Sequence, residues 1–231
     1  KVVVAGDFTT FNGVARNRIA RLNSDGSIDF SFDPGAGFDN PVYALDFDPG
    51  QRILAGGSFT SFNGTARGRV ARLNTNGSLD SSFNPGLGVK GGADNTVFLI
   101  KHAAGMPSGG QNRILVGGLF SFYNQVFRRN FIRLYEDGTV DTTFLDRAYN
   151  KSAGFRQRQP ANSSFITTAD VDSGGNIVVG GFFDTVGGWD LDDNGVGSSN
   201  PGPIATSAFG GGNTGATSSD VYPYIDQSGT Q

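Results

Sequence analysis

Residues 52–83 read RILAGGSFTSFNGTARGRVARLNTNGSLDSSF, and close copies of this string flank them on both sides. Residues 2–32 read VVVAGDFTTFNGVARNRIARLNSDGSIDFSF, and residues 113–144 read RILVGGLFSFYNQVFRRNFIRLYEDGTVDTTF. A fourth copy opens at Asn176 with NIVVGGFFDTVGG and then decays. Phe8, Phe59, Phe120 and Phe183 correspond, as do the pairs Ala5-Gly6, Gly56-Gly57, Gly117-Gly118 and Gly180-Gly181 before them. The intervals between copies lengthen along the chain while the pattern stays fixed, which places insertions in loops over a constant framework.

Each unit reads as four short strands. In the second unit these are residues 42–47 (VYALDF), 52–59, 69–74 and 78–82. Asp48-Pro49-Gly50 and Asn63-Gly64 between them are turn formers, because Pro presets φ and Gly accepts positive φ. The last hairpin fixes its own register. Ser24-Asp25-Gly26, Thr75-Asn76-Gly77 and Glu136-Asp137-Gly138 fit three-residue loops closed by a left-handed Gly. Counting outward sets Leu22 against Ile28, Leu73 against Leu79 and Leu134 against Val140. One step further, Arg21 meets Asp29, Arg72 meets Asp80 and Arg133 meets Asp141, so each copy gains an apolar pair and an ion pair on opposite faces.

The fold class that follows is all-β: tandem four-stranded antiparallel repeats of the β-propeller blade type. The string GDFTTFNGVARNRIARLNSDGSIDFSF closely resembles the delta-60 repeat, found in bacterial and some viral surface proteins and regarded as β-propeller-like. The resemblance spans residues 2–188, departing at Gln125 and at Leu145-Asp146, and the fourth copy keeps only its second strand. It implies an extracellular, cell-surface or virion-surface location and no particular activity. The domain reading is about three and a half repeats over residues 1–188, then a segment rich in Gly, Ser and Asn over residues 189–231, extended or packed on a partner. Three and a half blades do not close a ring, so the chain reads as a partial propeller or a fragment of one: either more chain lies outside it, or several chains complete the ring, or the units stack openly.

Composition narrows the function. The chain has 36 Gly, 20 Phe and no Cys, so Phe is its core material and thiolate metal sites and disulfides are excluded. A net charge of −3 does not suggest a nucleic-acid partner, and no apolar run is long enough for a spanning helix. The only His, His102, falls at the place of Phe47 and reads as an inward structural residue. Arg16, Arg67 and Arg128 recur after the Asn-Gly turn, either bridging strands or facing anionic glycans. The insertion at residues 147–162 is basic and reads either as a solvated connection between blades or as a contact loop offering Tyr149, Phe155, Arg156 and Arg158 to a partner, glycan or neighbouring subunit. Asp190, Asp192 and Asn194, with Gly195 following, have the oxygen spacing of a Ca2+ loop but lack a Glu at the twelfth position, which is Pro201; a solvated acidic turn is the other reading.

The expectation is a non-enzymatic structural or adhesive repeat protein that associates with itself or with other surface or virion proteins. The alternative is a carbohydrate-binding propeller, with a hydrolase behind it. If the loop at Asp190 holds a structural Ca2+, excess EGTA lowers the melting temperature; an unchanged value excludes that ion.

Overall fold

The structure is a computed structural model describing residues 1–86, 88–90, 95–106, 111–144, 155–156, 164–172, 175–183 and 185–186. Its described residues form strands and turns. In chain order, β1 (Val2–Ala5), the small hairpin β2 (Thr10–Phe11) and β3 (Val14–Ala15), and β4 (Ile19–Leu22) make the first unit. The second holds β5 (Val42–Phe47), β6 (Ile53–Gly57), β7 (Ser61–Phe62), β8 (Thr65–Ala66) and β9 (Val70–Leu73). The third holds β10 (Val89–Lys90), β11 (Thr96–Met106), β12 (Gln111–Leu119), β13 (Phe122–Tyr123), β14 (Val126–Phe127) and β15 (Phe131–Leu134). The fourth holds β16 (Phe155–Arg156), β17 (Phe165–Val171), β18 (Ile177–Phe182) and β19 (Thr185–Val186).

The main sheets are antiparallel: β1-β4, β5-β6-β9, β11-β12-β15 and β17-β18. Their inner strands β5, β11 and β17 pack side by side, each sheet against the next, so the sheets fan out from a common inner edge. That is propeller-blade geometry, and the chain is a partial propeller. A sequence repeat and a sheet are out of phase. Each repeat begins at the second strand of a sheet, and its closing Phe packs between that sheet and the next.

The second strands are buried on both faces, which explains their unbroken apolar reading. Ile53 and Ala55 join Ile19 and Phe32 in a core between the first two sheets. Leu54 turns the other way and joins Ile114, Val116 and Ile132 in a second core. Leu115 and Phe131 then meet Ile177 and Val179 in a third. Packing sheets on both faces leaves little room beside the second strand. A Cβ on Gly56 would lie 2.5 Å from Val97 Cγ1, and one on Gly117 would lie 2.7 Å from Ile166 Cγ2.

The predicted hairpin register is what the structure shows. Leu22–Ile28, Leu73–Leu79 and Leu134–Val140 form β-bridges. Gly26, Gly77 and Gly138 take φ of 83°, 94° and 88°. The expected fourth strand is pared to that single bridge. Its reason is local: the Asp80 carboxylate accepts both the N–H and the hydroxyl of Ser82, and this Asx turn bends the chain away from the sheet. The Asn63-Gly64 turn closes a separate small hairpin, β7-β8, instead of linking the second and third strands directly.

Two further features repeat without having been legible. Arg18, Arg69 and Asn130 sit at φ of 65°, 67° and 66°, where each N–H reaches back to the carbonyl of Phe8, Phe59 or Phe120. The inner strands each carry a bulge, at Tyr43, Phe98 and Thr167, where register slips by one. Opposite each bulge stands the second Gly of the pair. A Cβ on Gly57 would lie 2.2 Å from the Pro41 carbonyl oxygen, and one on Gly118 would lie 2.1 Å from that of Thr96. Backbone cannot swing aside, so Gly57→Ala is expected to lose about 1–3 kcal/mol in urea unfolding. Gly64→Ala has open space around it and only a positive φ to resist, so its loss is expected near 1 kcal/mol. Equal losses at the two sites would contradict the close approach at the bulge.

Candidate functional site

The recurring charges converge on one arrangement, found three times. Asp29 Oδ2 receives Lys1 Nζ and Arg21 Nε, both at 2.6 Å. Asp80 Oδ2 receives Arg52 at 3.2 Å and Arg72 at 2.8 Å; Asp141 Oδ2 receives Arg113 at 3.0 Å and Arg133 at 2.9 Å. The other carboxylate oxygen accepts the N–H and hydroxyl of Ser31, Ser82 or Thr143. Each guanidinium of the third-strand arginine also lies over a phenyl ring: Arg21 on Phe32 at 4.9 Å, Arg72 on Phe83 at 4.9 Å, Arg133 on Phe144 at 4.4 Å.

The same arginines reach into the following unit. Arg21 Nη1 donates to the carbonyl of Thr75, and Arg72 Nη1 to that of Glu136 at 2.7 Å. Main-chain bonds run beside them, from Asp33 N–H to the Asn76 carbonyl at 2.8 Å and from Asn84 N–H to the Asp137 carbonyl at 2.7 Å. The arginine therefore ties its own turn, its own aromatic ring and its neighbour's turn together. The carboxylates are buried, and the third copy is the most enclosed, with Arg133 and Asp141 2% and 1% exposed; Arg21 and Arg52 are partly buried and Lys1 is exposed. Each arginine in these sets is paired with a carboxylate of the fold.

Electrostatics agree with the geometry. The Lys1 ammonium and then the Ser31 hydroxyl hold Asp29 far below the usual carboxylate range, against burial and with help from Arg21. At Asp80 and Asp141 burial pushes upward, but hydrogen bonds from Ser82 and Arg72, and from Thr143 and Arg113, outweigh it and lower both.

The other candidates are placed as follows. The His102 side chain is buried, with Nε2 at 2.6 Å from Glu136 Oε1, and its backbone N–H bonds Asp46 Oδ2 at 2.7 Å. The inward expectation holds there but not at Phe47, which is 44% exposed. Arg16, Arg67 and Arg128 each turn Nη1 back onto the carbonyl of the preceding residue, at 2.9, 2.8 and 2.9 Å. Phe155 is corrected: it is not a surface contact but 0% exposed, wedged between Phe131 and Phe183 at ring-centroid distances of 5.5 and 4.8 Å. Arg156 pairs with Thr185 through its backbone strand. Tyr149, Arg158, Asp190, Asp192 and Asn194 lie outside the described residues. No three-residue His, Cys, Asp or Glu cluster suited to a metal occurs among the described residues.

What sequence reading missed is an aromatic row along the inner edge. Tyr43 and Phe98 stand at 5.8 Å, Phe98 and Phe165 at 5.9 Å, and Phe165 and Phe182 at 5.8 Å with nearly parallel rings. Tyr43 is 52% exposed and Phe182 38%. Further along the same strands, β11 and β17, Lys101 meets Asp170 at 3.6 Å. Tyr43 and Phe98 are the bulge residues, so their side chains leave the strict inward-outward alternation on which sequence reading depends.

Sheets fanned from an inner edge, and tied one to the next by a repeated arginine, define a β-propeller repeat protein. Residues 1–32, 52–83 and 112–144 each match the family model described as "Domain of unknown function (DUF5122) beta-propeller". No curated protein and no solved structure matches the chain at a significant level.

A carboxylate whose pKa is lowered by folding contributes stability above its unfolded value and loses it as pH falls through the folded one. Stability from these groups is therefore expected to be level above about pH 5 and to decline below the ordinary value of 3.8. Asp80→Asn leaves Asp48 beside Arg52 and Arg72, at 2.7 and 3.7 Å, and is expected to cost about 1–3 kcal/mol at pH 7 while flattening part of the acid slope. Urea unfolding between pH 3 and 7 measures both.

Proposed function

We propose that the chain is a non-enzymatic structural or adhesive scaffold of an extracellular, cell or virion surface, working through self-association or contact with other surface proteins. The observation that carries this reading is the commitment of the recurring Arg–Asp sets to folding: Arg21, Arg72 and Arg133 are held by Asp29, Asp80 and Asp141. The resemblance of the repeats to the delta-60 repeat supports a surface location. The side chains suited to contact are the aromatic row, in which Tyr43 and Phe182 are exposed and Phe98 and Phe165 half-buried, and contiguous exposed apolar surface marks interaction sites.

The same row favours one second reading, carbohydrate binding, since a line of rings offers flat apolar faces. The double variant Tyr43→Ala with Phe182→Ala tests both. Both side chains are substantially exposed, so the melting temperature is expected to stay within about 2 °C. Self-association in sedimentation velocity is expected to weaken at least tenfold. Specific retention on a glycan array, lost in the double variant, would replace the scaffold reading with the carbohydrate one. Unaltered association together with no glycan retention would remove the row from either role.

A further inference from the structure

The third small hairpin departs from the first two in the pair of side chains that faces outward. β13 and β14 set Tyr123 against Val126 and Phe122 against Phe127. Strand alternation puts these two pairs on opposite faces. Tyr123 is 0% exposed and belongs to a core, so Phe122 and Phe127 stand on the outer face. Phe122 is 38% exposed and Phe127 half-buried, with ring centroids 5.2 Å apart in an edge-to-face contact. The equivalent outward pairs are Thr10 with Ala15 and Ser61 with Ala66. Two copies of the same hairpin close with small side chains there, so folding does not call for two phenyl rings.

An arginine joins the rings. The Arg129 guanidinium lies 5.8 Å from the Phe127 ring centroid. It is also peculiar to this copy, since Asn17 and Gly68 stand at its place. Its Nε is buried and has no hydrogen-bond partner among the described residues, and no carboxylate among them pairs with it. Arg21, Arg72 and Arg133 are instead each closed on an aspartate. The Arg129 residue as a whole is only half-buried. A guanidinium seated on a ring with its inner nitrogen covered offers its outer N–H groups, the fork that matches a carboxylate.

We infer that Phe122, Phe127 and Arg129 form a binding site for an acidic sugar, a pyranose that carries a carboxylate. The fork holds the carboxylate, and the exposed Phe122 ring covers the apolar C–H face of the sugar. Such a sugar carries both features on one rigid ring. An acidic peptide has its carboxylate on a flexible stem and no flat apolar face, so it would use the arginine alone. The site rests on the adhesive reading above, to which it gives a ligand class, and it makes no use of the inner aromatic row.

Affinity electrophoresis of the full chain through gels holding polygalacturonate, neutral dextran or polyglutamate tests the assignment. Polygalacturonate is expected to retard the chain. Arg129→Gln, or Phe122→Ser with Phe127→Ala, is expected to weaken that retardation about tenfold. Lys101→Gln removes the same charge elsewhere and is expected to change it less than about twofold. The serine and alanine are the residues of the second copy, so the melting temperature is expected to stay within about 2 °C. A larger drop would make the rings part of the core and overturn the site. No retardation by polygalacturonate, equal weakening by Arg129→Gln and Lys101→Gln, or polyglutamate retarding as strongly would overturn it too. Tyr43→Ala with Phe182→Ala is expected to leave the retardation intact, so failure of this site and failure of the inner row are read by different variants.

Discussion

A guanidinium carries five donors and no acceptor, so burying one demands an oxygen for each direction in which it points. Arg72 meets that demand from three sources. Asp80 takes Nε, the Ser82 hydroxyl takes Nη2, and the carbonyl of Glu136 in the next unit takes Nη1. The flat face that remains lies on Phe83. One side chain thus fixes the turn of its own sheet, the closing aromatic of its own repeat and the distance to the following sheet. The apolar cores supply the bulk of the attraction between sheets. Arg21 and Arg72 add directed bonds across the first two junctions and so define their register.

This explains why the repeat and the sheet are out of phase. A repeat that began and ended with a sheet would need nothing from its neighbour beyond shape. Here the closing Phe32, Phe83 and Phe144 lie between sheets, and the arginines above them look forward along the chain. The inner strands add a second constraint. Their bulges and facing glycines let the sheets converge, and the bulges aim Tyr43 and Phe98 outward. Geometry required for convergence therefore also produces the exposed aromatic row.

Much of this was legible in the sequence because it depends on local chemistry. A three-residue loop closed by Gly26, Gly77 or Gly138 has few geometries, and it forces Leu22 onto Ile28 and Arg21 onto Asp29. The rest depended on contacts that no local pattern encodes. The forward reach of Arg21 and Arg72 to a carbonyl leaves no mark, since any residue has a carbonyl. A bulge changes the alternation by one and so disguised Tyr43 and Phe98. Phe155 looked like a loop contact because its neighbours are basic and polar; it is core because Phe131 and Phe183 close around it.

The forward-pointing arginine also has a consequence for birth on the ribosome. Arg21 depends on an acceptor 54 residues later, and Arg72 on one 64 residues later. At about 5–20 residues per second, a nascent blade waits on the order of three to thirteen seconds with a charged donor unsatisfied. Each blade is thus finished only by the arrival of its successor, and maturation travels along the emerging chain one unit behind translation.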